Sequence, residues 1–383
     1  MIGTKNGGRL IALLLFAGIA LWFCISFPMR AQDLMTSNPP ASHGQPVKAI
    51  PGVRYVGESV CTQCHSKNLA KQRSTAMAKA LESVTNCEIL RSHPRLTFRK
   101  GVYSYEIVRQ GNRSLYKVSD GATTIAEPIL WCFGRGGAGQ TYVFEHNGSY
   151  YQSRVSFYND IQGLDLTFGV PNSVPASLDE AAGAPLSRAE TRSCFACHST
   201  GAIAEGQLKI ERLTPGVSCE ACHGPGQKHV DAIRTGKSEE GSIFNPRTLN
   251  SEEMANFCGS CHRTWEEVAS MHIYNINNIR FQPYGLINSR CYEADDRRIS
   301  CTACHNPHED PKREPAFYDA KCVACHSPDP RVAQVGKRIA VTCKVGTQLC
   351  VTCHMAKHEI PGTHFKFTDH RIRIVKAGER YPN

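Results

Sequence analysis

From Thr191 to its C-terminus the sequence has few long apolar runs, and Gly, Pro and His are frequent there instead. A core of aliphatic and aromatic side chains alone would be thin in that half. Acidic residues also fall short of basic ones, 34 against 44, leaving a formal charge of +10. One pattern is missing altogether: no Cys-x-x-Cys in the chain lacks a histidine directly after it. A zinc knuckle or a disulfide framework has no need of that histidine.

What the chain has is seven copies of Cys-x-x-Cys-His. They are Cys61, Cys64 and His65; Cys194, Cys197 and His198; Cys219, Cys222 and His223; Cys258, Cys261 and His262; Cys301, Cys304 and His305; Cys322, Cys325 and His326; and Cys350, Cys353 and His354. This pentad is the attachment signature of c-type haem. The two sulfurs are spaced for the two haem vinyl groups, and the histidine is held beneath the iron as its proximal ligand. Roughly, a single pentad would arise by chance in only a few per cent of chains of this Cys and His content. The expected cofactors are therefore seven c-type haems with their iron. Porphyrin, a large apolar disc, would supply the missing core, so this half is expected to be unfolded without haem. Each oxidised haem brings about −1 with its propionates and each reduced one about −2, so the loaded chain would carry about +3 or about −4. The basic excess is thus propionate compensation, and no nucleic-acid partner is expected.

Lys5 and Arg9 precede an apolar run of 20 residues from Leu10 to Met29. Residues 1–30 read either as a cleaved secretory signal or as an inner-membrane anchor. Both place the remainder in the periplasm or otherwise outside the cytoplasm, where c-haem is attached. Cys24 follows bulky residues and reads as membrane-facing. Residues 31–54 are a linker rich in Pro, Ser and Gly, with His43 solvated within it. Residues 55–90 form the first haem segment, with a helix predicted from Ser66 to Leu81. Residues 91–170 read as an antiparallel β insert, with strands at Val102–Arg109, Ser114–Val118, Thr141–His146 and Tyr150–Tyr158. Asn147-Gly148 between the last two is a hairpin signal. Residues 171–383 hold six haem motifs whose first cysteines are 25, 39, 43, 21 and 28 residues apart. The short gaps suggest stacked haem pairs two–three and five–six. The expected fold is mainly α with much irregular loop, organised around stacked c-haems, plus the β insert.

Iron with two strong protein ligands carries electrons; iron with one can bind substrate. Nine histidines stand outside the motifs. His308, three residues after His305, cannot swing to the far face of its own haem but can reach a neighbouring iron. His229 is similarly placed after His223. His364 and His370 would let a terminal segment clasp the haem domain, and His272 is a further candidate. His358 sits too near His354 in a Lys-rich stretch to be favoured, and His93 and His146 read as non-ligating. Met77 is either a thioether ligand of the first haem or a packing residue. Cys87 with Cys132, and Cys291 with Cys343, could form disulfides or remain buried thiols.

Gly216-Val-Ser-Cys-Glu-Ala-Cys-His-Gly-Pro-Gly-Gln-Lys-His229, with Cys61-Thr-Gln-Cys-His and Ser74-Thr-Ala-Met-Ala, resembles the multihaem superfamily of cytochrome c-554, hydroxylamine oxidoreductase and pentahaem nitrite reductase. The likeness covers roughly 55–90 and 190–375, not the β insert. It implies a stacked haem chain with bis-histidine ligation. A histidine commonly stands there where this chain has Met77. Some reductases of that kind use a Cys-x-x-Cys-Lys motif with lysine as proximal ligand, and this chain has none. The expected function is a heptahaem carrier between a membrane or periplasmic donor and an acceptor, with redox proteins or a quinol-linked donor as partners. The alternative is an oxidoreductase acting on a small nitrogen or sulfur compound at one five-coordinate haem lined by Arg280, Tyr284 or Arg290.

Overall fold

The computed structural model describes residues 52–237, 243–327, 341–376 and 378–382, and the backbone of the strands Gln334–Val335 and Arg338–Ile339. The apolar run 10–29, Cys24, His43 and most of the 31–54 linker lie outside the described residues. Among the described residues no helix is long and apolar enough to cross a membrane.

Helix α1 (Glu58–Arg73) carries the first haem motif and is interrupted at His65, whose φ of −113° and ψ of 35° are not helical. It stops well short of Leu81. Ser74 and Thr75 turn their hydroxyls back onto the carbonyls of Lys71 and Gln72, each at 2.7 Å, and so compete with continuation of the helix. Met77 therefore lies in a turn, not on a helix.

The next hundred residues form one antiparallel sheet of nine strands. They are β1 (Leu81–Ser83), β2 (Arg95–Lys100), β3 (Tyr103–Gln110), β4 (Arg113–Ser119), β5 (Thr124–Phe133), β6 (Gln140–His146), β7 (Ser149–Tyr158), β8 (Gly163–Leu166) and β9 (Gly183–Pro185). Strands β2 to β8 pair in sequence order; β1 joins the second half of β5 and β9 joins β7. The end strands β2 and β8 touch, so the sheet is nearly closed. Helices α2 (Glu88–Ser92) and α3 (Leu178–Ala182) cover it. Its interior includes the fully buried Tyr105, Tyr116, Tyr142, Phe144, Val155 and Phe157. Burying each large apolar side chain contributes roughly 1.5–3 kcal/mol.

The mainly α expectation is thus wrong: the largest unit is this sheet, and beyond it the helices are short. Strand β5 was hidden by Pro128 and by a bulge between Ile129 and Trp131, which shifts the alternation by one residue. The Asn147-Gly148 turn joins β6 to β7 as a two-residue loop, with φ of 50° and 73° and His146 opposite Ser149.

Cys87 and Cys132 are both fully buried in this core, with their thiols in hydrogen-bonding reach of one another. Cys291 instead faces Cys304 and Cys325, and Cys343 is held by the amides of Val345 and Gly346.

His146 is half-buried, with Nδ1 2.8 Å from Glu127 and Nε2 3.3 Å from Asp179. The carboxylates, Glu127 first, raise its pKa against the opposing effect of burial. A raised folded pKa means that the stabilisation is complete below the unfolded value, about 6.5, and is lost as pH rises through the folded one. His146→Gln is expected to lower stability by about 0.5 kcal/mol at pH 5.5 and by almost nothing at pH 8.5. Urea midpoints at the two pH values test this; equal losses at both would refute it.

Beyond β9 run α4 (Arg188–His198), α5 (Cys219–His223), α6 (Gln227–Arg234), α7 (Ser251–His262), α8 (Trp265–Ser270), α9 (Gln282–Ile287), α10 (Cys301–Cys304), α11 (Asp319–Val323) and α12 (Cys350–His354). Capping boxes start α4, α7 and α8, from Ser187 with Glu190, Asn250 with Glu253 and Thr264 with Glu267. Two small buried clusters, around Phe195 and around Phe281, serve this half.

Candidate haem-iron centres

Every motif begins on a helix: α1, α4, α5, α7, α10, α11 or α12. Residues i, i+3 and i+4 share one helix face, so a helical pentad turns both sulfurs and the imidazole to the same side. In six motifs the helix ends at or near the histidine, and in α1 it is interrupted there, at His65, before continuing to Arg73. At α7 the next residue, Arg263, takes φ of 67° and closes the helix at once.

Four of the seven motif histidines are oriented by a backbone carbonyl. Nδ1 donates to Ala80 O from His198 (2.9 Å), to Phe244 O from His223 (2.8 Å), to Val341 O from His326 (2.9 Å) and to Arg373 O from His354 (3.0 Å). Such a bond fixes the proton on Nδ1 and leaves the Nε2 lone pair for a metal. Burial lowers the pKa of His198, His262 and His305, keeping these imidazoles neutral. His305 Nδ1 is buried without a hydrogen-bond partner.

Two non-motif histidines face motif histidines. The His223 and His308 ring centroids are 6.2 Å apart with planes 1° from parallel. The His305 and His370 centroids are 6.3 Å apart at 44°. A metal bound at about 2.0 Å to one nitrogen of each ring would hold two axial imidazoles about 6 Å apart, so both pairs fit a shared iron. The loop bearing His308 is fastened to the first haem segment by Lys71–Glu309 (2.6 Å) and by the Ala76 amide on Asp310 (2.7 Å). His370 donates Nδ1–H to Thr368 O at 3.0 Å, and burial pushes its pKa down to about 4. Its backbone is strapped to the end of α9: Ser289 Oγ donates to His370 O (3.1 Å) and accepts from the Ile372 amide (2.8 Å). A Cβ on Gly285 would lie 3.1 Å from His370, which explains the glycine.

The other candidates are placed differently. His364 bonds Asp165 at the far end of the sheet (2.8 Å) and packs on Tyr158. His272 is exposed with Nδ1 2.9 Å from Tyr274 Oη. His229 is half-buried on α6. Met77 accepts the Val217 amide at its carbonyl, which sets its turn against the chain leading into α5. His93 packs on Phe157 inside the sheet region. His358 packs on Tyr381 and leaves Nε2 buried without a partner.

The motifs meet in an order the sequence gaps do not predict. Thiols of motifs one and three lie within hydrogen-bonding reach (Cys61 and Cys219), as do those of two and four (Cys197 and Cys261), four and five (Cys258 and Cys301) and six and seven (Cys322 and Cys350). Cys222 of motif three is near Cys258, and Cys304 of motif five is near Cys322. All seven are thereby connected, as a line from one through three, four, five and six to seven, with motif two branching from four. Among the described residues no cluster of three or more His, Cys, Asp or Glu is arranged to hold a metal ion; a haem iron asks the protein for only two ligands.

Two acidic residues that the sequence did not single out lock the motifs together. Glu220, 2% exposed, accepts the backbone amides of Val56, Gly57 and Gly226, each at 2.8 Å. Asp319 on α11 accepts those of Leu349 and Cys350, at 2.8 and 2.9 Å, which lowers its pKa. A Glu between two motif cysteines and an Asp just before a motif carry no signal of such distant partners.

Residues 174–224, which hold motifs two and three, match the family model described as cytochrome c554 and c-prime. A 200-residue stretch is 26% identical to the multiheme cytochrome MtrA of Shewanella baltica (strain OS185), covering 48% of this chain and 51% of that protein. The chain therefore spans about half the length of that curated relative. No solved structure matches the chain.

Proposed function

We propose that this chain, a multihaem c-type cytochrome, transfers electrons through seven closely packed haems between a membrane or periplasmic donor and an acceptor. The observation that carries the reading is the His223–His308 pair, whose 6.2 Å separation suits two axial ligands of one iron. Bound haem supplies a one-electron iron couple, and two strong axial ligands leave that iron no open position. The fourteen motif cysteines hold the haems and His65, His198, His223, His262, His305, His326 and His354 ligate them. His308 crosses from the fifth motif to the third haem, and His370 crosses from the terminal segment to the fifth. Met77 and His229 remain the distal candidates where the first and third motifs meet. His272 and His364, bonded to Tyr274 and Asp165, are left out of this ligand set.

Location outside the cytoplasm is supported by the attachment chemistry and by the apolar run 10–29, as a signal or as an anchor. The proposed partners are redox proteins or a quinol-linked donor, since a one-electron iron couple needs both a donor and an acceptor. The purified holoprotein is expected to weigh seven haems more than its polypeptide and to show low-spin irons in near-infrared and paramagnetic resonance spectra. A smaller haem load, or zinc in its place, would overturn the count. A high-spin signal that responds to nitrite or hydroxylamine would overturn the carrier in favour of an enzyme.

A further inference from the structure

The Arg280 side chain is half-buried, and among the described residues no anion faces it. Among the described residues it makes no ion pair or hydrogen bond, and its Nε is buried without a partner. It lies between two aromatic rings, 4.9 Å from the centroids of both Phe168 and Phe281. A second cation, Arg263, stands close enough to disfavour its protonation further, and burial contributes more; together they lower its pKa to about 10. Next to it in sequence Gln282 leaves Oε1 buried and unbonded, while its side chain reaches His262. Arg263 directly follows His262 and also lies near Cys194 and Cys197. An unpaired charge that is partly withdrawn from water is destabilised, and a second cation beside it adds to that. The rings ease the cost by cation–π attraction of about 1–2 kcal/mol but do not cancel it. A carboxylate in the fork of the guanidinium would.

We propose that Arg280, backed by Arg263, is the clamp for a buried carboxylate of the haem held by Cys258, Cys261 and His262. This rests on the haem loading proposed above. The chemistry favours a propionate over a free oxyanion because the cation sits beside a haem motif and arrives with every haem attached there. Arg280 then acts as a positioning residue that also sets the potential. A positive charge next to an iron disfavours its oxidised, more positive form, so the clamp raises that haem's potential.

The test uses the holoprotein. R280Q is expected to keep its full haem mass while one haem's oxidised-to-reduced ratio rises about tenfold at fixed potential, a downward shift of 59 mV for one electron; R280K restores most of it. Should R280Q fail to accumulate, R280K carries the test. An ammonium binds as a point charge where a guanidinium binds as a fork, so R280K should move a haem carboxylate band in the infrared redox difference spectrum. An unmoved band, or unchanged potentials in a loaded R280Q, overturns the clamp. So does nitrite or sulfite binding to the wild type in an Arg280-dependent way, since the site would then hold a free anion. Absence of haem from the Cys258–Cys261 peptide would refute the loading itself, a distinct failure.

Discussion

Replacing His308 by alanine is expected to turn one low-spin haem into a high-spin haem and to leave the other irons as they were. Among the described residues the ring that faces the His308 imidazole is that of His223, parallel to it and 6.2 Å away. Burial lowers its pKa, and the neighbouring His223 lowers it further, against a weaker opposing pull from Glu309. The imidazole is therefore held neutral, the form that binds a metal. Removing it leaves the iron one ligand short, so added cyanide or imidazole should bind and restore the low-spin spectrum. Axial ligands span about 0.8 V of haem potential, and the affected haem should move by on the order of 0.1 V. The substitution leaves the loop's anchors, Lys71–Glu309 and Ala76–Asp310, in place, so folding and haem count should be kept. An unchanged low-spin count in loaded His308→Ala would exclude His308 as a ligand.

The seven Cys-x-x-Cys-His motifs are legible because their chemistry is local. Five consecutive residues fix two sulfurs and one imidazole, and no distant contact is needed to recognise them. His308 stands out for a related reason: chain length alone would forbid it from reaching round a haem held at its own motif. The order in which the motifs meet was not legible, because adjacency depends on where loops return. Motifs two and three are 25 residues apart, yet the thiols in hydrogen-bonding reach are those of motifs one with three and two with four. The contact of His364 was illegible for the same reason. Its partner, Asp165, is 199 residues earlier on a short strand that the alternation pattern did not reveal.

The sheet shows the complementary limit. Alternation located β3, β4, β6 and β7 to within a residue or two, since Tyr105, Ile107, Tyr116 and Val118 point inward on a period of two. The bulged β5 and the very short β1 and β9 gave no such period. Missing them made the insert look minor and the fold mainly helical. The two halves also differ in what holds them. The sheet encloses a continuous aromatic interior, whereas among the described residues the haem-motif half has one small apolar cluster around Phe281 and shares another, around Phe195, with β1 and β5. Its remaining order comes from polar ties between distant segments, and those ties are where single substitutions should cost most.

Glu220→Ala should be the costliest of these. The side chain lies between the motif cysteines Cys219 and Cys222, and its two oxygens satisfy three amides from two other segments. Val56 and Gly57 belong to the entry into α1, and Gly226 to the entry into α6. One carboxylate thus holds the start of the first haem helix, the third motif and the following helix at a single point. Gly226 has little room for a side chain, because a Cβ would stand 3.3 Å from Glu220 Oε1 and 3.0 Å from Val56. Alanine would leave three donors without an acceptor, two of them partly buried, at about 1–3 kcal/mol for each buried group left unpaired. Some water would enter, so the expected loss is about 3–5 kcal/mol. Glu220→Gln keeps one acceptor oxygen and should lose roughly half as much. Urea midpoints of the holoprotein measure both variants, and limited proteolysis near residue 57 reports the release of the α1 entry. A loss under 1 kcal/mol for the alanine variant, with the cleavage pattern unchanged, would mean that the covalent haems alone join the first and third motifs. The predicted order of stability is wild type, then glutamine, then alanine, and it follows from how many of the three amides keep an acceptor.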